Sequence, residues 1–552
     1  MAPSKTGASE PMSVPGDEKP KETPDLASAQ TDSSEAAAYP SGLRLGLILT
    51  SVFVSMFLVS LDRTVITTAI PQISDEFSSA TDIGWYGSAY LLMTCAFQLL
   101  FGNIYSFYSI KNTFMGSVFL FEVGSAVCGA APTSAVFIVG RAVGGLGGAG
   151  IISGVVIIIV YAVPLQKRPI YQGMIGAVFG LASVAGPLLG GAFTSKVTWR
   201  WCFYINLPFG GVAMVLIWFL LNIPGQETSK LPVKSRLAQL DFYGTALIVP
   251  GSICLIFVPQ WGGSTYAWNS VRVIVLIVLA GAFMIGFIMC SILAGFFSTL
   301  CVGSLSMLFT YYLPIWFQAV QGLTAVDSGI RTLPLVISLV AASMSSGFLI
   351  HHIGYYTPLM IIGICFMSVG AGLLNTLQIN TSAPKLVGYQ ILYGFGLGAT
   401  SQVPNLAVQT VLPKSDIPIG SSLMFFSQLL SGAIFVSVGQ NVLDNQLTHR
   451  LSSVPGFGPD MIQNSGITSL TKFPTSSRAA ILDAYNESLR QVFRAGLIIV
   501  CLNLFGALAM EWRSMKKDAV KQGVPNKDNS SPGLEGGDQL DTLDDRPTGD
   551  KA

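Results

Sequence analysis

Gly180–Gly191 reads GLASVAGPLLGG, a proline and four glycines inside a run, Ile170–Phe193, that has no charged residue. Such a run makes a helix of about 36 Å, enough to cross the roughly 30 Å hydrocarbon core of a bilayer. Glycine and proline are poor helix formers, so their presence needs a reason. Ala182, Gly186 and Gly190 recur every fourth residue and form one small face that another helix can approach closely. Pro187 removes the backbone hydrogen bond to Ser183 and bends the helix. A bent, glycine-faced helix suits a packed interface between moving halves. Gly186, Pro187, Gly190 and Gly191 are therefore expected to be conformational, not substrate contacts.

Composition sets the class. The chain has 552 residues, 51% apolar and 11% charged, where a soluble domain carries about a quarter charged. Mean hydropathy is +0.59. Apolar runs of around 20 residues recur, and the alternating pattern of a membrane barrel is absent. The expected fold is an all-α polytopic membrane protein. Fourteen spans are predicted, near 44–68, 83–106, 112–131, 135–163, 170–194, 201–222, 241–261, 271–289, 292–318, 328–350, 356–378, 386–412, 417–443 and 492–512. An even count puts both termini on one side. Lys111, Lys167, Arg168, Lys230, Lys234 and Arg236 assign that side to the cytoplasm, although Lys196, Arg200 and Arg331 sit near outer ends.

Residues 1–42 and 516–552 are polar and without apolar periodicity, so they read as disordered cytoplasmic tails. No signal-peptide pattern precedes the first span. The spans group as 43–222, a linker with two further helices over 223–290, and 291–515 with a long outer loop at 444–491. A short amphipathic helix is expected within that loop, around Ser477–Leu489. Val273–Val326 runs 54 residues without a charge, leaving almost no polar connector between two spans.

Charges inside a bilayer are costly and face a cavity or a partner. Asp62 lies late in the first span, Glu122 mid-span in the third, and Arg141 about five residues into the fourth. Asp62 and Arg141 fall at similar depth, where an acid–base pair is mutually stabilised. A carboxylate beside a cation can exchange protons as its surroundings change. The competing reading is that Asp62 and Arg63 merely mark the outer end of a short helix and that Glu122 is a structural polar contact. Gln402, Asn405, Gln409, Gln428 and Gln440, with Trp316, Phe317, Tyr389, Tyr393, Phe425 and Phe426, suit an uncharged, adaptable pocket. Of these, Gln402, Asn405, Gln409, Phe425 and Gln428 are the expected substrate-cavity residues. Asn380 and Asn486 head glycosylation sequons in predicted outer loops.

Other chemistry is poorly represented. The glycine run Gly140–Gly154 is not a phosphate loop, and no GxxxxGK[ST] occurs, which argues against an ATP-driven pump. With three histidines, His351, His352 and His449, no metal or enzyme site is expected. The eight cysteines lie in or beside apolar segments and read as buried thiols. A net charge of +1 offers nothing to nucleic acid.

Together these motifs resemble the major facilitator superfamily, and within it the fourteen-span drug:proton antiporters. LDRTVITTAIP (Leu61–Pro71) is similar to that group's first-helix motif. GRAVGGLGGAG (Gly140–Gly150) is similar to the fourth-helix motif, whose arginine matches Arg141 and is implicated in proton transfer. GLASVAGPLLGG is similar to the fifth-helix antiporter motif, associated with export. WRWCFYINLP (Trp199–Pro208) and SGIRTLP (Ser328–Pro334) extend the match over about 42–515. The nearest likeness is to fungal toxin efflux pumps.

The resemblance implies two six-helix bundles around a central cavity, with two extra helices between them, and alternating access by rocking. It also implies a proton-coupled exporter of a hydrophobic or amphipathic small molecule, such as a fungal secondary metabolite or mycotoxin. Such a carrier needs no cofactor beyond the proton gradient. Its partners are the substrate, protons and the bilayer, and it works as a monomer. The expected site is the plasma membrane, with a vacuolar or vesicle membrane as the alternative. The competing functions are an importer or vacuolar permease for a siderophore or basic amino acid, and a transport-dead sensor or scaffold. Two departures stand out. The loop motif after the second helix reads GNIYSFYSIK (Gly102–Lys111), with Ser106 replacing the usual acid of a charge latch. The chain also passes directly from Cys290 to Ser291, where the family carries a basic segment; this reads as a deletion or a wrong splice junction.

Overall fold

The computed structural model describes residues 40, 42–79, 82–221, 254, 258, 270–276, 293–451 and 475–515. The expected helices at 241–261 and 271–289, the Cys290–Ser291 junction and both tails lie wholly or largely outside the described residues. Eleven helices among the described residues are long and apolar enough to span a bilayer.

The first group is α1 (Gly42–Phe77), α2 (Ile83–Phe107), α3 (Ile110–Ala130), α4 (Ser134–Ala162), α5 (Arg168–Lys196), the short α6 (Trp201–Tyr204) and α7 (Asn206–Leu220). The second is α8 (Leu293–Ala319), α9 (Ala325–Arg331), α10 (Leu333–Ile353), α11 (Thr357–Leu374), α12 (Ala383–Thr400), α13 (Val403–Val411), α14 (Ile417–Leu451) and α15 (Thr475–Leu508). Most packing runs within each group: α3 on α4, α1 on α5 and α2 on α4 in the first, and α10 on α12, α8 on α14 and α11 on α12 in the second. Each group has its own apolar core. Outward-facing apolar side chains such as Phe209, Val212 and Phe219 on α7 stay exposed, as suits helices solvated by lipid.

Several helices differ from the expected spans, and α14 runs on to Leu451, into the expected outer loop 444–491. α1 does not end near residue 68 but runs 36 residues to Phe77. Its threonines turn their hydroxyls onto helix carbonyls, Thr64 to Ser60 at 3.1 Å and Thr68 to Val65 at 3.0 Å, so a polar-looking segment remains helical. The span expected at 386–412 breaks after Thr400, because Pro404 cannot donate to the Thr400 carbonyl. The separate helix expected near Ser477–Leu489 is continuous with the last span as α15, 34 residues long. Leu489, Ala484 and Tyr485 are buried in the second core, which recruits the polar stretch into the bundle.

The two groups meet along two seams. On one, α5 lies against α10: Ser343 Oγ donates to the Gly173 carbonyl at 3.0 Å, and His351 Nδ1 lies 2.6 Å from the Gln166 carbonyl. On the other, α2 lies against α14, with Cys95 and Leu99 packed on Phe426 and Leu430. Beside it, Gln98 Nε2 donates to Ser153 Oγ at 2.7 Å, and Ser153 Oγ shares a hydrogen bond with Ser422 Oγ at 3.0 Å.

Candidate functional site

Asp62 stands mid-helix, 20 residues after Gly42 and 15 before Phe77. The extension of α1 therefore removes the reading of Asp62 and Arg63 as a helix end. Arg141 Nη1 lies 2.5 Å from Asp62 Oδ2, with side-chain exposures of 2% and 3%. The guanidinium is fixed from other directions too. Its Nε donates to the Tyr86 carbonyl at 3.0 Å, and its plane sits 4.5 Å from the Tyr90 ring centre and 5.7 Å from that of Phe203. Close approach of α4 makes this geometry available: Gly145 lies against the Tyr90 carbonyl and Gly148 against the Tyr90 hydroxyl. A side chain at Gly145 would push the α2 backbone away, and one at Gly148 would displace the Tyr90 ring. The glycine run thus serves close packing, as expected.

Glu122 makes no hydrogen bond to that pair. Both its carboxyl oxygens are buried without a hydrogen-bond partner, and the side chain fills the space above Gly210 on α7. One turn along each helix, Asn206 Nδ2 donates to Ser125 Oγ at 3.0 Å. Asn206 also reaches Asp62, so it stands between the ion pair and the Glu122 region. Its position in WRWCFYINLP was visible in the sequence, its role was not.

The small face of α5 packs within its own group. Gly186 lies against Thr64 and Gly190 against Thr68 and Val65, both on α1, while Thr64 Oγ1 donates to the Ala182 carbonyl at 3.0 Å. Nothing lies near the position of a Gly191 side chain. The interface between the two groups is made instead by Gly173 and Gly176 on Ser343 and by Gly180 on Val340. Sequence reasoning missed this second stripe, although its three- and four-residue spacing was legible.

The expected cavity residues separate. Gln402, Asn405 and Gln409 occupy one face of α13 and its leading turn, at 9%, 4% and 1% exposure. The Gln402 side chain comes within 3.6 Å of the Gly176 Cβ position, so this face addresses α5. Asn405 and Gln409 make no hydrogen bond through either end of their amides, and neither does Gln172 on α5, which sequence reasoning missed. Leaving such a group unpaired costs about 1–3 kcal/mol, a burden that stability alone does not favour. Phe425 is packed into the first group's core, Gln428 is half-buried, and Phe426 belongs to the α2–α14 seam. Trp316, Phe317 and Tyr393 are core residues of the second group, with the Tyr393 hydroxyl on the Leu305 carbonyl at 3.0 Å. Gln440 bonds Asp444 in an exposed position. Tyr389 and Asn380 line a surface hollow of about 320 Å³.

Asn380 is exposed. Asn486 is not: at 3% exposure it accepts from Trp316 Nε1 at 2.8 Å and donates to the Leu377 carbonyl at 3.3 Å. An enclosed, doubly bonded amide is at odds with the expectation of a glycan there.

A second charged cluster went unread in the sequence. At the Trp199 end, Glu76 accepts from Trp199 Nε1 at 2.5 Å and pairs with Arg200 Nη2 at 2.7 Å. Arg200 Nη1 also donates to the carbonyls of Gly129 and Ala131, at 2.9 and 2.8 Å. The Trp199 bond first, and Arg200 second, hold the Glu76 carboxyl below its ordinary range. At the other end Lys111 donates to the Trp218 carbonyl at 2.5 Å, so the retained cation of GNIYSFYSIK ties α3 to α7. Among the described residues no cluster of metal-ligating side chains occurs.

Residues 52–436 match the model of the Major Facilitator Superfamily. An MFS-type transporter of Claviceps purpurea is 49% identical over 508 residues, covering 88% of each chain. The rubrofusarin-specific efflux pump aurT of Gibberella zeae is 44% identical over 502 residues, 87% of this chain and 92% of that one. Among solved structures, the proton:xylose symporter XylE superposes with a TM-score of 0.57 at 12% identity, over 86% of this chain and 98% of that one; this likeness concerns the fold. With its helical membrane-spanning fold, the chain belongs to the major facilitator superfamily, a family of membrane transporters and not of enzymes.

Proposed function

We propose that this protein exports a hydrophobic or amphipathic small molecule, a fungal secondary metabolite or mycotoxin, in exchange for protons. The observation that carries the reading is the buried Asp62–Arg141 pair in a chain 44% identical to a named efflux pump. A deprotonated Asp62 is stabilised by Arg141. A proton on Asp62 cancels that attraction, while the Tyr86 carbonyl and the faces of Tyr90 and Phe203 still hold the guanidinium. The pair can thus change charge without Arg141 losing every partner. Glu122 supplies a second acidic position, one turn along from the Asn206–Ser125 hydrogen bond.

Alternating access requires the two seams to part in turn. The contacts of Gly173, Gly176 and Ser343 and the Gln98–Ser153–Ser422 chain close the end that carries Arg168 and His351, the expected cytoplasmic end. These are neutral hydrogen bonds and glycine contacts, which can re-form without separating opposite charges. They take over the work of the charge latch lost with Ser106. The amides of Gln172, Gln402, Asn405 and Gln409, with Gln428, are the polar groups offered to cargo, and the plasma membrane is the proposed site. Metabolite profiling of cells and medium in the native organism, with and without the gene, tests this. A compound that accumulates in the cells and disappears from the medium on deletion supports export; unchanged partition with the protein present at the membrane opposes it.

A further inference from the structure

The strongest unexplained group is Arg63. It is half-buried at the middle of α1, next to Asp62 in sequence but turned about 100° from it around the helix. Asp62 is committed to Arg141 inside the first group. Arg63 instead reaches across to the second group, where its Nη2 lies 3.2 Å from Met307 Sδ on α8. A thioether is a weak acceptor, and a guanidinium carries five N–H donors. Among the described residues, no carboxylate lies within ion-pair distance of it. A cation held at membrane depth against a thioether marks a functional position.

The surroundings define a site between α1, α8 and α14. The Met307 side chain lies against Gly432 of α14, and Gly303, one turn before Met307, lies against the backbone of Gln428. Gln428 is half-buried, one turn before Gly432. Tyr311, one turn after Met307 on α8, keeps 47% of its surface exposed. α1 and α8 are not among the closely packed helix pairs, so Arg63 bridges facing walls. Along α8 the amide of Gln428 is level with Gly303, the Arg63 cation with Met307 and the open ring is Tyr311, so the three groups are spread over about two helical turns, roughly 12 Å, with Arg63 at the centre.

We infer that Arg63 recognises the cargo, and that the cargo is a flat aromatic molecule bearing oxygen acceptors, such as a phenolate, carboxylate or ring carbonyl, and not a cation. Arg63 contributes only donors, so the ligand contributes acceptors. Tyr311 offers a ring face to an aromatic body, and Gln428 can donate to or accept from a substituent. A cationic cargo is repelled, because Asp62 is already neutralised by Arg141. The inference rests on the exporter reading and specifies its cargo.

Fluorescein and rhodamine 6G share a xanthene frame and differ in charge. The full chain in lipid nanodiscs is titrated with each dye by fluorescence polarisation. The wild type is expected to bind fluorescein at least about tenfold more tightly, the size of one charge-assisted hydrogen bond. Arg63→Gln should erase that preference, and Arg63→Lys, which keeps the charge, should retain most of it. The inference is overturned if rhodamine 6G binds as tightly, if neither dye binds, if Arg63→Gln keeps the preference, or if both variants lose it equally. Proton-driven dye efflux from vesicles is read separately. Its absence with the fluorescein preference intact would sink the exporter reading and leave the site standing.

Discussion

Removing Arg141 leaves the buried Asp62 carboxylate without its counter-charge. Breaking a buried pair from one side costs about 3–5 kcal/mol. Arg141→Ala should therefore lower the melting temperature in nanodiscs and abolish proton-driven efflux. Asp62→Asn should be milder for the fold, since a neutral amide still accepts from Arg141, but its efflux should no longer respond to the pH gradient. Normal gradient-driven efflux by Arg141→Ala would remove the pair from the coupling. Glu76 behaves differently. Its folded carboxyl is held below the ordinary value of 4.5 by Trp199 and Arg200. A depressed value means its stabilisation is fully present above that ordinary value and is lost as pH falls through the folded one. Melting curves of wild type and Glu76→Gln should thus converge on acidification below about pH 4.5 and separate above it; parallel curves would show that the cluster contributes nothing. At this scale Asp62 and Arg141 were legible because charge in an apolar run is rare. Glu76, Asn206 and Gln172 were not, since their meaning depends on partners distant in sequence.

At the scale of elements, α5 carries two small stripes with different work. Gly186→Leu must displace Thr64 on α1 and should cost several kcal/mol through overpacking. Gly191→Leu meets open space and should stay within about 0.5 kcal/mol of wild type. Equal melting temperatures would contradict the assignment of Gly186 to the α1 contact. The sequence motif pointed to close packing on this helix, but not to which neighbour, because a periodic stripe names a face and not the helix it meets. Element ends were the least legible feature. α1 and α15 extend beyond their apolar stretches because their polar residues find partners, the Thr64 and Thr68 hydroxyls on carbonyls of their own helix in one and Asn486 on Trp316 and Leu377 in the other. For Asn486 the consequence is concrete. Asn380→Gln should remove any glycan-dependent mobility shift, whereas Asn486→Gln should leave the shift and lower stability by loss of the Trp316 bond. A shift lost only in Asn486→Gln would reverse this.

At the scale of the molecule, two helix groups meet along α5–α10 and α2–α14, and motion between them is what transport requires. The Ser153–Ser422 contact offers a lock. A Ser153→Cys/Ser422→Cys pair should form a disulfide across the seam, stop efflux, and recover on reduction; efflux unaffected by a formed crosslink would mean that the seam does not open. The helical membrane fold was legible from composition alone, and the family from five short motifs. The relation of the groups was not, since the seam is built from glycines and serines that look alike in every span. The central claim is that a proton gradient drives export through Asp62 and Arg141. The most direct measurement is dye efflux from vesicles carrying the purified chain, with an imposed pH gradient, for wild type and Asp62→Asn side by side. The account predicts that wild-type efflux rises with the gradient and collapses when it is dissipated, while Asp62→Asn is flat throughout. Wild-type efflux indifferent to the gradient, or an Asp62→Asn variant that follows it as the wild type does, would contradict it.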